Sequence, residues 1–141
     1  MSLNVNQLPV IPTAEVMSVI HRFPNLICPQ INFKGNIGRL TLPAQTYQLV
    51  RIPAYPGAIR VRFRELTQVM VLSGEIDLSR PKYSDLTQRL ASRDTVSLED
   101  GILYRFSNFR TDEESVILYQ SGSADQQIEW EPEACCRMGA D

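Results

Sequence analysis

The sequence predicts one all-β domain, a sandwich or barrel, with a single short helical segment ahead of it. Two observations carry this. Gly, Pro and Asn punctuation at Gly35-Asn36, Pro53, Pro56-Gly57, Ser73-Gly74, Pro81, Asp100-Gly101 and Ser121-Gly122-Ser123 cuts the chain after residue 30 into short apolar or alternating runs, the spacing of strands joined by tight turns. Within one of these runs, Ile59-Arg60-Val61-Arg62-Phe63-Arg64-Glu65, apolar and charged residues alternate with a period of two, which is the pattern of a half-buried strand. At 141 residues, 43% hydrophobic and 21% charged, the chain suffices for one domain with a real core, and no internal repeat or linker divides it.

Taken in order, residues 1–30 read as an N-terminal extension, 31–122 as the β-barrel and 123–141 as a C-terminal strand or tail. In the extension, Ala14-Glu15-Val16-Met17-Ser18-Val19-Ile20-His21-Arg22 reads as helical after Thr13, because Thr favours the N-cap. Two roles stay open for the extension, a helix over the barrel mouth or a swapped strand. In the barrel, the alternation places Ile59, Val61, Phe63 and Glu65 on one strand face and Arg60, Arg62 and Arg64 on the other. Glu75 and Asp77 share a face of the run Glu75-Ile76-Asp77-Leu78, so cross-strand ion pairs with the arginines follow if the two runs lie side by side. An anion site or a subunit interface is the alternative use of the arginines. Asp100-Gly101 lies between Thr95-Val96-Ser97-Leu98 and Ile102-Leu103-Tyr104-Arg105-Phe106, and both residues tolerate positive φ, so the pair reads as a tight hairpin turn. The tail Gln126-Gln127-Ile128-Glu129-Trp130-Glu131-Pro132 holds the only tryptophan, placed either over a barrel end or as an interface anchor.

Composition excludes several function classes. A formal net charge of -2 gives no global electrostatic reason for nucleic acid or an anionic membrane as partner. No apolar run approaches the roughly 18 residues a membrane span needs, and Met1-Ser2-Leu3-Asn4 opens no basic-then-apolar leader; the expectation is a soluble, cytoplasmic protein. Three cysteines, Cys28, Cys135 and Cys136, contain no CxxC pair and make no disulfide framework, although the adjacent pair is a candidate soft-metal or redox handle. His21 is the only histidine, and one imidazole does not build a two- or three-histidine metal site.

Two stretches carry a family resemblance. Arg93-Asp94-x-x-x-x-Glu99-x-Gly101-x-x-Tyr104-x-x-x-Asn108 keeps the spacing of the second cupin motif, with Arg93 in place of a turn glycine, Glu99 in place of a proline and Tyr104 where a metal-binding histidine is expected. Tyr55-Pro56-Gly57, running on to Gln68-Val69-Met70-Val71-Leu72-Ser73-Gly74-Glu75-Ile76, resembles the first motif, and the two together span residues 55–108. The resemblance implies a cupin-like double-stranded β-helix, or jelly roll, and dimeric relatives, so a homodimer is expected. In the family the first motif supplies two histidines one residue apart and a glutamate seven positions before the turn glycine. Counted back from Gly74, those places fall on Val61, Phe63 and Thr67; counted forward from Gly57, the histidine pair falls on Phe63 and Glu65. Either way the inward face, Val61, Phe63, Glu65, Thr67 and Tyr104, holds no imidazole. The expectation is a pocket without metal or other cofactor.

The pocket expected is lined by Phe63, Glu65, Thr67, Tyr104 and Phe106, apolar walls with a few polar groups, as small-molecule sites are; a filled core has the same composition. The leading functional expectation is a metal-free domain that binds a small organic ligand in the barrel and serves as a sensor. One alternative is a metal-independent isomerase, epimerase or lyase in which Glu65 takes a proton and Tyr104 gives one. The other is a structural or regulatory protein-interaction module.

Overall fold

The computed structural model describes residues 11–22, 29–81, 83–124 and 128–131. The helix α1 (Thr13–Arg22) comes first. It is followed by β1 (Ile31–Lys34), β2 (Ile37–Thr41), β3 (Thr46–Ile52), β4 (Ala58–Arg62), β5 (Thr67–Ser73), β6 (Glu75–Arg80), β7 (Tyr83–Ala91), β8 (Thr95–Leu98), β9 (Leu103–Asn108), β10 (Ser115–Gln120) and β11 (Glu129–Trp130). The strands form two antiparallel sheets, one of six strands in the order β1-β2-β3-β10-β5-β8 and one of five in the order β11-β4-β9-β6-β7. From β3 to β11 the chain changes sheet at every connection except β6 to β7, which is the winding of a jelly roll.

Alternation along the strands decides what each face buries. In β4, Ile59 and Val61 are sealed while Arg60 and Arg62 reach solvent, so the five-stranded sheet has one wet face. The runs Val69-Met70-Val71-Leu72 in β5 and Val116-Ile117-Leu118-Tyr119 in β10 are apolar without a break, and both faces of these strands and of β3 carry buried residues. Val50, Ile52, Val69, Val71, Ile117 and Tyr119 point between the sheets, where they meet Ile59, Val61, Ile76, Leu78, Tyr104 and Phe106. Their neighbours Tyr47, Leu49, Met70, Leu72, Val116 and Leu118 point outward into a second core with Val16 and Ile20 of α1.

α1 is thus a lid on the outer face of the six-stranded sheet, which is neither a swapped strand nor a helix across the barrel mouth. Its sequence supports that position. Val16 and Ile20 are four residues apart and share one face, Glu15 sits in the first turn where the helix dipole favours an acid, and the carbonyl of Pro12 accepts the amide of Val16 at 3.0 Å. Just before the helix, the Ile11 amide donates to Gln68 Oε1 of β5 at 2.6 Å, fastening the lid to the sheet.

Two local expectations are corrected. Asp100-Gly101 does not close a hairpin: β8 pairs with β5 in one sheet, while β9 pairs with β4 and β6 in the other. The turn carries the chain across the sandwich, and the Gly101 amide donates to the carbonyl of Phe63 at 3.0 Å. Local sequence announces a tight turn but does not say which strand edges are free to take the runs on either side. The second correction concerns the arginine face. β9 lies between β4 and β6, so Arg60 does not pair with Glu75 or Asp77. Arg60 and Arg105 both hold Glu131, Asp77 pairs with Arg89 on β7, and Glu75 pairs with Arg110. Cys28, Cys135 and Cys136 lie outside the described residues.

Candidate functional site

Of the residues expected to line a pocket, Phe63, Thr67 and Tyr104 lie toward the end of the sandwich where β4 turns into β5 and β8 turns into β9, and Phe106 lies further along β9 opposite Ile59 and Leu78. Val61 and Phe63 are each 1% exposed and belong to the central core. Phe63 pairs with Ala124 in an isolated bridge. Its ring stands 5.1 Å from that of Tyr119, edge to face, and 6.4 Å from that of Tyr104. Offset and edge-on contacts of this kind add to the area the rings bury. Phe106 is fully buried in the same core. The barrel interior is therefore filled at Val61 and Phe63, two of the places where the resemblance would put imidazoles.

The polar candidates separate. Thr67 is buried, and its hydroxyl donates to the carbonyl of Glu65 at 2.7 Å. Tyr104 is 5% exposed and its hydroxyl accepts the backbone amide of Glu99 at 3.0 Å. Glu65 does not lie on the inward face. β4 ends at Arg62, so the period of two stops after Phe63, and Glu65 is solvent-exposed in the turn. Of the five expected pocket residues, Phe63, Thr67, Tyr104 and Phe106 are buried and Glu65 is exposed. Among the described residues, no group of three or more His, Cys, Asp or Glu side chains is placed to hold a metal.

Two clefts open at this end of the molecule. One, of about 310 Å³, lies between β6, β7 and β8; Leu78, Leu98 and Tyr104 line it together with Ser79, Gln88 and Ser97. The other, of about 530 Å³, is lined by Ile37, Gln48, Arg64, Ala124, Ile128 and Trp130, with Gly122 beside them. The chain of rings Tyr104, Phe63 and Tyr119 lies between them. Tyr104 borders the first cleft, and Gln48 of the second donates its side-chain amide to Tyr119 at 2.7 Å. Burial pushes the Tyr119 hydroxyl well above the ordinary tyrosine range, with the Gln48 hydrogen bond opposing, so it stays protonated. Sequence reasoning did not single out Tyr119, Gln48 or Gln88. A tyrosine inside the continuous apolar run of β10 was the available signal, since its hydroxyl needs a partner when buried.

The other positions of the second motif shape turns, whether they match it, as Asp94 and Asn108 do, or depart from it, as Arg93 does. Arg93, in the turn-glycine position, holds φ at 78°, the left-handed region that glycine favours. Asp94 Oδ2 accepts the Ala91 amide at 2.8 Å. Asn108 is 1% exposed; its side-chain amide donates to the carbonyls of Ile52 and Glu113, and its Oδ1 accepts the Arg110 amide. From the first motif, Gly74 is the single residue between β5 and β6, at φ 82°.

The fold is that of the cupins, a double-stranded β-helix. The solved cupin 2 domain-containing protein from Halorhodospira halophila is similar, with a TM-score of 0.51 at 18% identity over 78% of this chain and 79% of that one. An RmlC-like cupin with a double-stranded β-helix fold from Methanocaldococcus jannaschii gives a TM-score of 0.48 at 11% identity over 67% and 90%. Drosophila melanogaster CENP-C, solved bound to CAL1, gives 0.49 at 13% identity over 77% and 94%. No protein-family model matches the chain, and no curated protein matches it. At these identities the likeness is one of fold.

Proposed function

We propose that the chain is a metal-independent cupin-fold module that binds a small polar organic ligand in the cleft beside Tyr104, with occupancy rather than turnover as its output, as in a sensor. The observation that carries this reading is the 310 Å³ opening that reaches Tyr104, the residue standing at a metal-ligand position. Its volume lies at the lower end for small-molecule sites. Leu78 and Leu98 supply apolar surface, and Ser79, Gln88 and Ser97 supply hydroxyl and amide groups that orient a ligand without a metal. The acid-base reading through Glu65 and Tyr104 has no such support, because one group is in solvent and the other is buried under the Glu99 amide.

The test is thermal unfolding against a panel of small sugars, polyols and hydroxy acids. A ligand at 100 times its dissociation constant adds about 2.7 kcal/mol to the folded state, a rise in Tm of roughly 5–10 °C for a domain of this size. Gln88→Phe, at an exposed position, fills the cleft and abolishes the rise. A rise that survives Gln88→Phe, or a panel that gives none, overturns the proposal.

A further inference from the structure

α1 is fastened to the outer sheet near both of its ends, and the two fastenings differ in kind. Ahead of the helix, the Ile11 amide donates to Gln68 Oε1, a bond between neutral groups. In the last turn, Nε2 of His21 stands 3.0 Å from Nη2 of Arg93. The backbone of Arg93 is a fixed post on the sheet. Its amide donates to the Val71 carbonyl of β5 at 2.7 Å, and the carbonyl of Asp94 accepts the Val71 amide at 3.0 Å. An arginine holds this place at φ 78°, where a glycine would be unstrained. Backbone strain of this kind collects at clamps and switches, and the side chain it carries here meets α1.

The contact dictates a protonation state. A guanidinium has N–H donors, no acceptor, and keeps its charge. Nε2 of His21 therefore presents its lone pair, and the ring proton sits on Nδ1. A second ring proton would turn the acceptor into a donor and set two cations against each other. The acids nearby pull in the same direction. His21 and Arg93 line a cleft of about 680 Å³ floored by Ile20, Leu72 and Val116, and Glu113 and Glu114, ahead of β10, line it with them. An imidazolium that leaves Arg93 is drawn toward these two carboxylates. Arg51 of β3 also lines the cleft, with its guanidinium stacked on Phe33 at 3.8 Å. Asp94 is turned back onto the Ala91 amide, and Glu15 lies in the first turn of α1, at the other end of the helix. The helix itself tolerates an imidazolium in its last turn, because the dipole favours a cation there. What acid removes is the tie to the sheet.

We propose that His21 and Arg93 form a proton-sensitive latch on α1, closed while the imidazole is neutral and open once it is protonated. The latch acts on the outer face of the six-stranded sheet, away from the Tyr104 cleft, and stands whether or not that cleft binds a ligand.

His21 is the only histidine, so ring signals report on the latch alone. Nitrogen NMR of the full chain at pH 8 is expected to show a protonated Nδ1 and a bare Nε2. Exchange of the Ile20 and His21 amides, corrected for the intrinsic rate and set against that of β10, is expected to be at least threefold faster at pH 5.5 than at pH 8. A helix of ten residues is marginal once it leaves its sheet, and pH 5.5 lies above the range in which Glu131 titrates. His21→Gln, whose amide oxygen accepts from Arg93 at either pH, is expected to lose the acid response. His21→Lys, a cation without an acceptor, is expected to exchange at the fast rate at both. Both substitutions fall at an exposed position. The proposal is overturned by a proton on Nε2 in the parent at pH 8, by equal exchange at the two pH values, or by an acid response that persists in His21→Gln.

Discussion

At the scale of single residues, the positions that match the cupin motifs and those that depart from them do different work. Gly74 shows why a matching residue stays. It takes the chain from one sheet to the other in one step at φ 82°, and a Cβ there would run into the Ser115 side chain and Cα. Ser115 cannot yield, since its hydroxyl accepts the Glu75 amide and donates to the Glu75 carbonyl. Gly74→Ala is expected to cost more than about 2 kcal/mol by urea unfolding, from left-handed backbone strain and the clash together. Arg93 is the opposite case, a non-glycine at φ 78° whose side chain contacts His21, 3.0 Å away and exposed. Arg93→Gly is expected to raise stability by about 0.5–1 kcal/mol in the same measurement, and a loss instead would mean that the His21 contact outweighs the backbone strain. Phe63 stands at a departing position. Phe63→Ala removes a fully packed ring from between Tyr104 and Tyr119 and is expected to cost about 3–5 kcal/mol.

At the scale of elements, the six-stranded sheet needs cover on both faces, and α1 supplies it on the outside. Replacing Val16, which is 0% exposed between helix and sheet, by Asp buries an unpaired charge. The expected outcome is detachment of α1 with the sandwich retained: binding of a hydrophobic dye rises and the cooperative near-ultraviolet signal of the barrel persists. If both signals collapse together, the helix and sandwich are one cooperative unit. The need for this cover was legible in the sequence, because Val69-Met70-Val71-Leu72 and Val116-Ile117-Leu118-Tyr119 are continuous apolar runs, unlike the alternating Ile59-Arg60-Val61-Arg62. Strand positions, the helix after Thr13, the turn at Gly74 and the missing imidazoles were legible for the same reason, since each is a local property of composition and period. The strand neighbours were not. That Asp100-Gly101 joins two sheets, that β9 separates β4 from β6, and that β4 stops before Glu65 all depend on which edges the rest of the chain leaves open. The second cleft was hidden for the same reason, as Trp130 and Gln48 are 82 residues apart in sequence and meet only because β11 adds to β4.

At the scale of the whole molecule, one carboxylate joins the end of the described chain to the wet sheet, and its ionisation ties closure of the sandwich edge to pH. The Arg105 hydrogen bonds, with help from Arg60 and against the cost of burial, hold Glu131 below the ordinary carboxylate range. A carboxylate whose pKa is lower folded than unfolded stabilises the fold fully at pH above its unfolded value, near 4.3. That contribution falls away as the pH drops from there through the folded value. Glu131 is 19% exposed and its arginine partners 42% and 35%, so solvent screening limits the pair to about 1 kcal/mol. Glu131→Gln is therefore expected to be less stable than the parent by about that amount at pH 7, and the difference is expected to shrink below pH 4 as the parent loses its charge. The same titration reaches Trp130, because loss of the clamp frees β11 from β4. Emission from the sole indole is expected to shift to the red in Glu131→Gln at neutral pH, and in the parent only on acidification, while far-ultraviolet circular dichroism of the sandwich is unchanged. An emission spectrum that is the same in both proteins across pH 3–7 would show that the backbone bond from Glu131 to Ala58 holds the strand without the ion pair.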